Sequence, residues 1–157
     1  LEAFEVRAIL EGHGDVLASE NIGRDEIDRL AELTREMRAA AEDGDPYREA
    51  TADTEFHRLI MRHSGNATLE RVWSTLEPFL RTYITIVSPG VDRQAVADRH
   101  RPIIEALRRG NPDVIEEAFR VHFEAAASAL AEVWPRHEDG DAATHKPRLD
   151  ETPAVAI

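Results

Sequence analysis

A chain of 157 residues with 42% apolar content can bury one core and is short for two ordinary domains. It holds no cysteine, which excludes disulfides and thiolate metal sites, and apolar runs such as Tyr83 to Val87 are far too short to span a bilayer. A net charge of −12, from 31 acidic and 19 basic residues, repels phosphate backbones and favours a small-molecule or protein partner over direct nucleic-acid binding.

In chain order, Leu1 to about Ala18 reads as a first helix on Phe4, Ile9 and Leu10, weakened by Gly12 and Gly14. The charged Glu2, Glu5 and Arg7 in its first turns leave no signal-peptide pattern, and a cytoplasmic location is the expectation. The chain opens at Leu1, already inside this pattern, so a further N-terminal segment is expected. Arg24 to about Glu42 gives a clearer helix, with Ile27, Leu30, Leu33 and Met37 at steps of three and four.

Asp45-Pro46 is a start signal, a capping acceptor followed by proline at the first helical position. The helix it opens should run to Ser64 and end on a left-handed Gly65. Asn66 caps the next, about Ala67 to Val87, carrying Leu69, Val72, Leu76, Leu80 and Ile84, and Ser88-Pro89-Gly90 breaks it. A fifth region runs from about Asp92 to Arg109, with Pro102 predicting a kink or a restart after His100. Asn111-Pro112 opens a long sixth helix to about Trp134. Beyond Pro135 the chain is acidic and aperiodic and reads as a disordered tail over 136–157. The pattern predicts an all-α fold, a six-helix antiparallel bundle-like domain over 1–135.

Histidine is the commonest neutral metal ligand, and seven are present. Asp53 and His57 stand at i and i+4, so both project from one helix face. His100 falls between Val96 and Ile103-Ile104, and His122 lies on a largely apolar stretch with Val121, Ala125 and Ala126. Three helices can therefore present one carboxylate and three imidazoles at one level of a bundle. That donor set suits zinc, nickel or manganese, and suits magnesium or calcium poorly, because those ions favour all-oxygen shells. The plainer alternative is a solvated Asp–His pair and hydrogen-bonded core histidines.

These residues carry a resemblance. Asp53-Thr-Glu-Phe-His57, followed by Ser64-Gly65-Asn66, resembles the D-x-x-F-H…S-G-N signature of the C-terminal FCD domain of GntR-type regulators, FadR branch. Phe4-Glu-Val-Arg7-Ala-Ile-Leu-Glu11 is similar to that family's opening helix, and His100 to Gly110 to its H-x-x-I-x-x-A-I-x-x-G segment. His122 follows His100 by 22 residues, the family's separation, and the likeness covers roughly residues 2 to 134. The resemblance implies an all-helical homodimeric domain that binds a small effector, commonly an organic acid. That domain biases a winged helix-turn-helix, expected on the missing N-terminal side, which alone touches DNA.

It implies metal ligation by Asp53, His57, His100 and His122, and an effector contact by Arg7, with Arg81 as a second candidate. The alternative for Arg7 is a surface arginine paired with Glu11. Three departures stand out: Arg99 replaces the usual acidic residue before the fifth-region histidine, Pro102 follows it, and Gly12-His-Gly14 interrupts the first helix. A metalloenzyme and a purely structural dimerisation module are the competing functions. Against the enzyme, the chain has no His-Glu-x-x-His and no Glu-x-x-His pair of the di-metal bundle kind. The structural module predicts that chelation changes neither ligand binding nor stability.

Overall fold

The computed structural model describes residues 2–133, and every regular element among them is a helix. In chain order these are α1 (Glu2–Ser19), α2 (Arg24–Asp43), α3 (Pro46–His63), α4 (Ala67–Ser74), α5 (Pro78–Val87), α6 (Arg93–Asp98), α7 (Arg101–Arg109) and α8 (Pro112–Val133). The all-α expectation holds, with eight helices where six were expected. The tail expected over 136–157 lies outside the described residues.

Both extra breaks fall at prolines, whose missing N–H and ring cannot continue a helix. Pro102 follows the gap between α6 and α7, as expected, and His100 occupies the cap position before α7. The other break was not anticipated. The single helix expected over 67–87 divides at Thr75–Glu77, where Glu77 takes φ 52° and Pro78 starts α5. The stripe drawn through that helix is corrected with it: Leu69 is buried, but Leu80 and Ile84 are 44% and 38% exposed. Asp45 and Asn66 cap α3 and α4 as expected, accepting from the backbone N–H groups of Arg48 and Leu69. Gly65 follows α3 at φ +69°.

Helix α3 is the hub, packed against α1, α2, α4 and α5, while α8 closes the fold against α1, α7 and α5. The main core joins Leu30, Leu33 and Met37 of α2 to Phe56 and Ile60 of α3, and to Ile103, Ile115 and Phe119. A smaller cluster of Met61, Leu69 and Trp73 fills the angle between α3 and α4.

Helix α1 departs most from its expected face. Ile9 is 72% exposed, and the buried stripe is Phe4, Arg7, Glu11, Gly14, Asp15 and Ala18. Gly14 belongs there because of a close approach: a Cβ at that position would stand 1.9 Å from Met61 Cε and 3.1 Å from Leu69 Cδ2. Gly12, one step round the helix, has nothing within 4 Å of such an atom. Gly12→Ala should therefore raise stability by about 0.5–1 kcal/mol through helix propensity alone. Gly14→Leu should lower it by about 1–3 kcal/mol through overpacking. Urea unfolding of both variants checks this; equal shifts of one sign would refute the asymmetry.

Candidate metal centre

Two helices and the start of a third bring the donors together. Asp53 and His57 point from one face of α3, His100 from the start of α7 and His122 from the buried side of α8. All four are buried. One ring nitrogen from each of the three histidines lies within 4.8 Å of the other two. His57 Nε2 and His100 Nε2 are 3.4 Å apart, and Asp53 Oδ2 is 3.3 Å from His100 Nε2. The His122 ring centroid is 4.7 Å from that of His100 and 5.2 Å from that of His57.

The partners of the other ring nitrogens fix which lone pairs face inward. The His100 Nδ1–H donates to the Ala97 carbonyl at 3.2 Å. His57 Nδ1 stands 2.6 Å from Glu11 Oε2, where a carboxylate holds the proton on Nδ1. Both Nε2 atoms and a carboxylate oxygen are thereby turned toward one point. His122 Nδ1 is buried with no hydrogen-bond partner. Electron-rich atoms gathered this closely are costly unless a cation or shared proton joins them. The residues present thus fit a divalent transition ion of the kind that takes imidazole and carboxylate together.

Charge supports the same fit. Burial pushes the His122 pKa well below the ordinary histidine range, helped by the neighbouring His100 and His57, so its lone pair stays free at neutral pH. Burial opposes ionisation of Asp53, but the contact with His100 and the charges of His57, His100 and Arg7 outweigh it and hold the carboxyl far below its usual range. Asp53 Oδ1 also accepts from the Thr82 hydroxyl at 2.9 Å.

Glu11 is the organising residue that the sequence reading did not pick out for the site. Its Oε1 accepts from Arg7 Nε at 2.8 Å and from Trp73 Nε1 at 2.7 Å, while its Oε2 faces His57. Burial raises its pKa, yet Arg7, His57 and Trp73 together pull it down to about 2. Of the alternatives for Arg7, the pairing with Glu11 is present, but the pair is buried rather than on the surface. Arg7 also lines a cavity of about 30 Å³ together with Asp53, His57, Thr82, His122 and Arg99. Arg81 is not among that cavity's lining residues, although it precedes Thr82 on α5; its Nε is buried without a hydrogen-bond partner. The i, i+4 spacing of Arg7 and Glu11 was the available signal for this relay; for Thr82 and Trp73 the sequence offered none.

The chain matches the family model of the FCD domain over residues 2–125. It is 34% identical over 131 residues to a probable D-xylose utilization operon transcriptional repressor of Paenarthrobacter nicotinovorans, covering 83% of this chain and 58% of that protein. The chain thus spans little more than half of that curated relative's length. Among solved structures, E. coli McbR/YncC superposes with a TM-score of 0.73 at 18% identity, over 83% of this chain and 67% of its own. At that identity the likeness concerns the fold alone. A Streptococcus agalactiae GntR superposes with a TM-score of 0.64 at 27% identity, over 81% of this chain and 57% of its own.

Proposed function

The chain belongs to the FCD domain family, and from that premise we propose that it is the metal-assisted, acid-sensing domain of a transcription regulator. The observation that carries the reading is the meeting of three buried imidazoles beside Asp53, with His122 Nδ1 left without a partner. Asp53, His57, His100 and His122 would hold the ion, with zinc first and nickel or manganese next. Bound there, the ion would supply a positive centre with open coordination positions for a carboxylate oxygen.

The chain's own residues supply the rest. Glu11 keeps the His57 lone pair inward, and the Ala97 carbonyl does the same for His100. Arg7 reaches the cavity wall with its charge already countered by Glu11, and its guanidinium lies over the Phe4 and Phe123 rings at 5.7 and 5.6 Å. It can therefore orient an acid by hydrogen bonding without bringing an unpaired charge into the cavity. Contacts from α1, α3, α7 and α8 would converge on one ligand, so an acid that favours one arrangement of these helices shifts the population toward it.

The proposed partners are a second copy of the chain and, through a DNA-binding domain outside it, DNA. The net charge of −12 speaks against phosphate contacts by this segment itself. The relative's role as a repressor favours regulation over catalysis for this chain too. It is named for D-xylose utilization, which makes D-xylose the neutral ligand to set against acids.

Thermal-shift measurements on metal-loaded and EDTA-stripped chain, with small mono- and dicarboxylic acids, hydroxy acids and D-xylose, test the reading. An acid that raises the melting temperature by several degrees only in loaded protein is the expected result. A shift by D-xylose alone would overturn the acid assignment, and equal shifts with and without metal would overturn metal assistance.

A further inference from the structure

Three charged side chains line the cavity: Arg7, Asp53 and Arg99. Arg7 is matched by Glu11 at 2.8 Å, and Asp53 is engaged by Thr82 and His100. Arg99 is different. It ends α6, immediately before His100, and is partly buried. Its side chain makes no hydrogen bond, ion pair or ring contact among the described residues.

A guanidinium on the wall of a cavity offers five donors, and one with no protein acceptor keeps them available to a ligand. The other arginine anchoring α6 illustrates the usual arrangement: Arg93 Nε donates to Glu49 Oε2 at 2.7 Å. Arg99 instead lines the cavity with Arg7, Asp53 and His122.

We propose that Arg99 is a specificity-determining residue that makes this cavity select acids with two negative groups over acids with one. The inference rests on the acid-sensing reading and deepens it. A divalent ion set against the single charge of Asp53 leaves one positive charge, which a first carboxylate on the ion neutralises. The Arg7–Glu11 pair is neutral as a whole. Arg99 then remains as one uncompensated cation on the same cavity, and a planar fork of donors matches a second carboxylate in two parallel hydrogen bonds. A monoacid leaves that charge unmatched. The cavity, at about 30 Å³, holds no more than an ion or a water as it stands. The one lining cation without a tether is the group free to move aside for a larger guest and then close on it.

Isothermal titration of metal-loaded, tag-free chain with malonate, succinate and glutarate, against propionate, butyrate and pentanoate, tests this. The best diacid should bind at least about tenfold more tightly than the best monoacid, the worth of one charge-assisted pair. Arg99→Gln should bring the two classes to near equality without loss of metal, and Arg99→Lys should keep a diacid preference. Equal binding of the two classes by the native chain, or a preference that survives Arg99→Gln, would overturn the proposal. Binding of neither class by loaded protein would instead overturn the acid-sensing reading, and this inference with it.

Discussion

Purified without a histidine tag, the chain is expected to carry close to one equivalent of a transition metal, zinc first, and to lose it in His100→Ala and His122→Ala. The reason is geometric. The donors come from three helices far apart in sequence, so the unfolded chain offers no comparable site, and metal affinity becomes folding stability. At free metal a hundredfold above the dissociation constant the gain is about 2.7 kcal/mol, or roughly 5–10 °C in melting temperature for a domain of this size. Truncating His122 should have the cleaner effect, because His122 Nδ1 has no partner to lose. Elemental analysis with calorimetric melting reads both quantities. Substoichiometric metal after incubation with each ion in turn, with unchanged melting, would overturn the centre and leave the histidines as core residues.

Glu11→Gln is expected to be the most damaging single-atom exchange in the domain. The substitution keeps shape but removes the charge that balances buried Arg7 and holds the His57 proton outward. Leaving a buried guanidinium uncompensated costs about 3–5 kcal/mol. Losing the partner of a ligating histidine weakens metal binding about 10–100-fold. Removing both charges, as Arg7→Met with Glu11→Gln, should recover much of the stability but not the metal affinity, a separation that a general packing defect could not produce. Denaturant unfolding and competition with a chelator provide the two readouts. A stability loss below about 1 kcal/mol in the single variant would show that Glu11 does not balance Arg7 in this way.

Most helices were legible because their signals are local. Asp45-Pro46 and Asn66 announce their caps through side-chain acceptors, and Ile27, Leu30, Leu33 and Met37 repeat at the helical period and are all buried. Pro78 was equally local and was overridden by the apparent continuity of Leu76, Leu80 and Ile84, of which the last two face outward. Helix α1 was misread for a deeper reason. Hydrophobic periodicity assumes that buried positions are apolar, whereas here Arg7, Glu11 and Asp15, all ionisable, point inward. The candidate site was visible where the spacing of Asp53 and His57, and their order with His100 and His122, carried a pattern. Thr82 and Trp73 reach it from 29 and 62 residues away from their partners Asp53 and Glu11, separations that no short motif records.

The charged stripe of α1 also bears on which packings the domain can avoid. Arg7, Glu11 and Asp15 lie one helical turn apart on the same buried face. An apolar stripe could slide along the groove between α3 and α8 by one turn, about 5.4 Å, and bury nearly the same area. This stripe cannot. A slip one way would set Arg7 against His57, and a slip the other way would place Asp15 there and carry Glu11 away from His57 and Trp73. The polar groups cost desolvation in the right alignment and far more in the wrong ones, so α1 has a single permitted axial position. A helix of weak amphipathicity is thereby seated as accurately as a keyed shaft, by residues whose chemistry also serves the pocket.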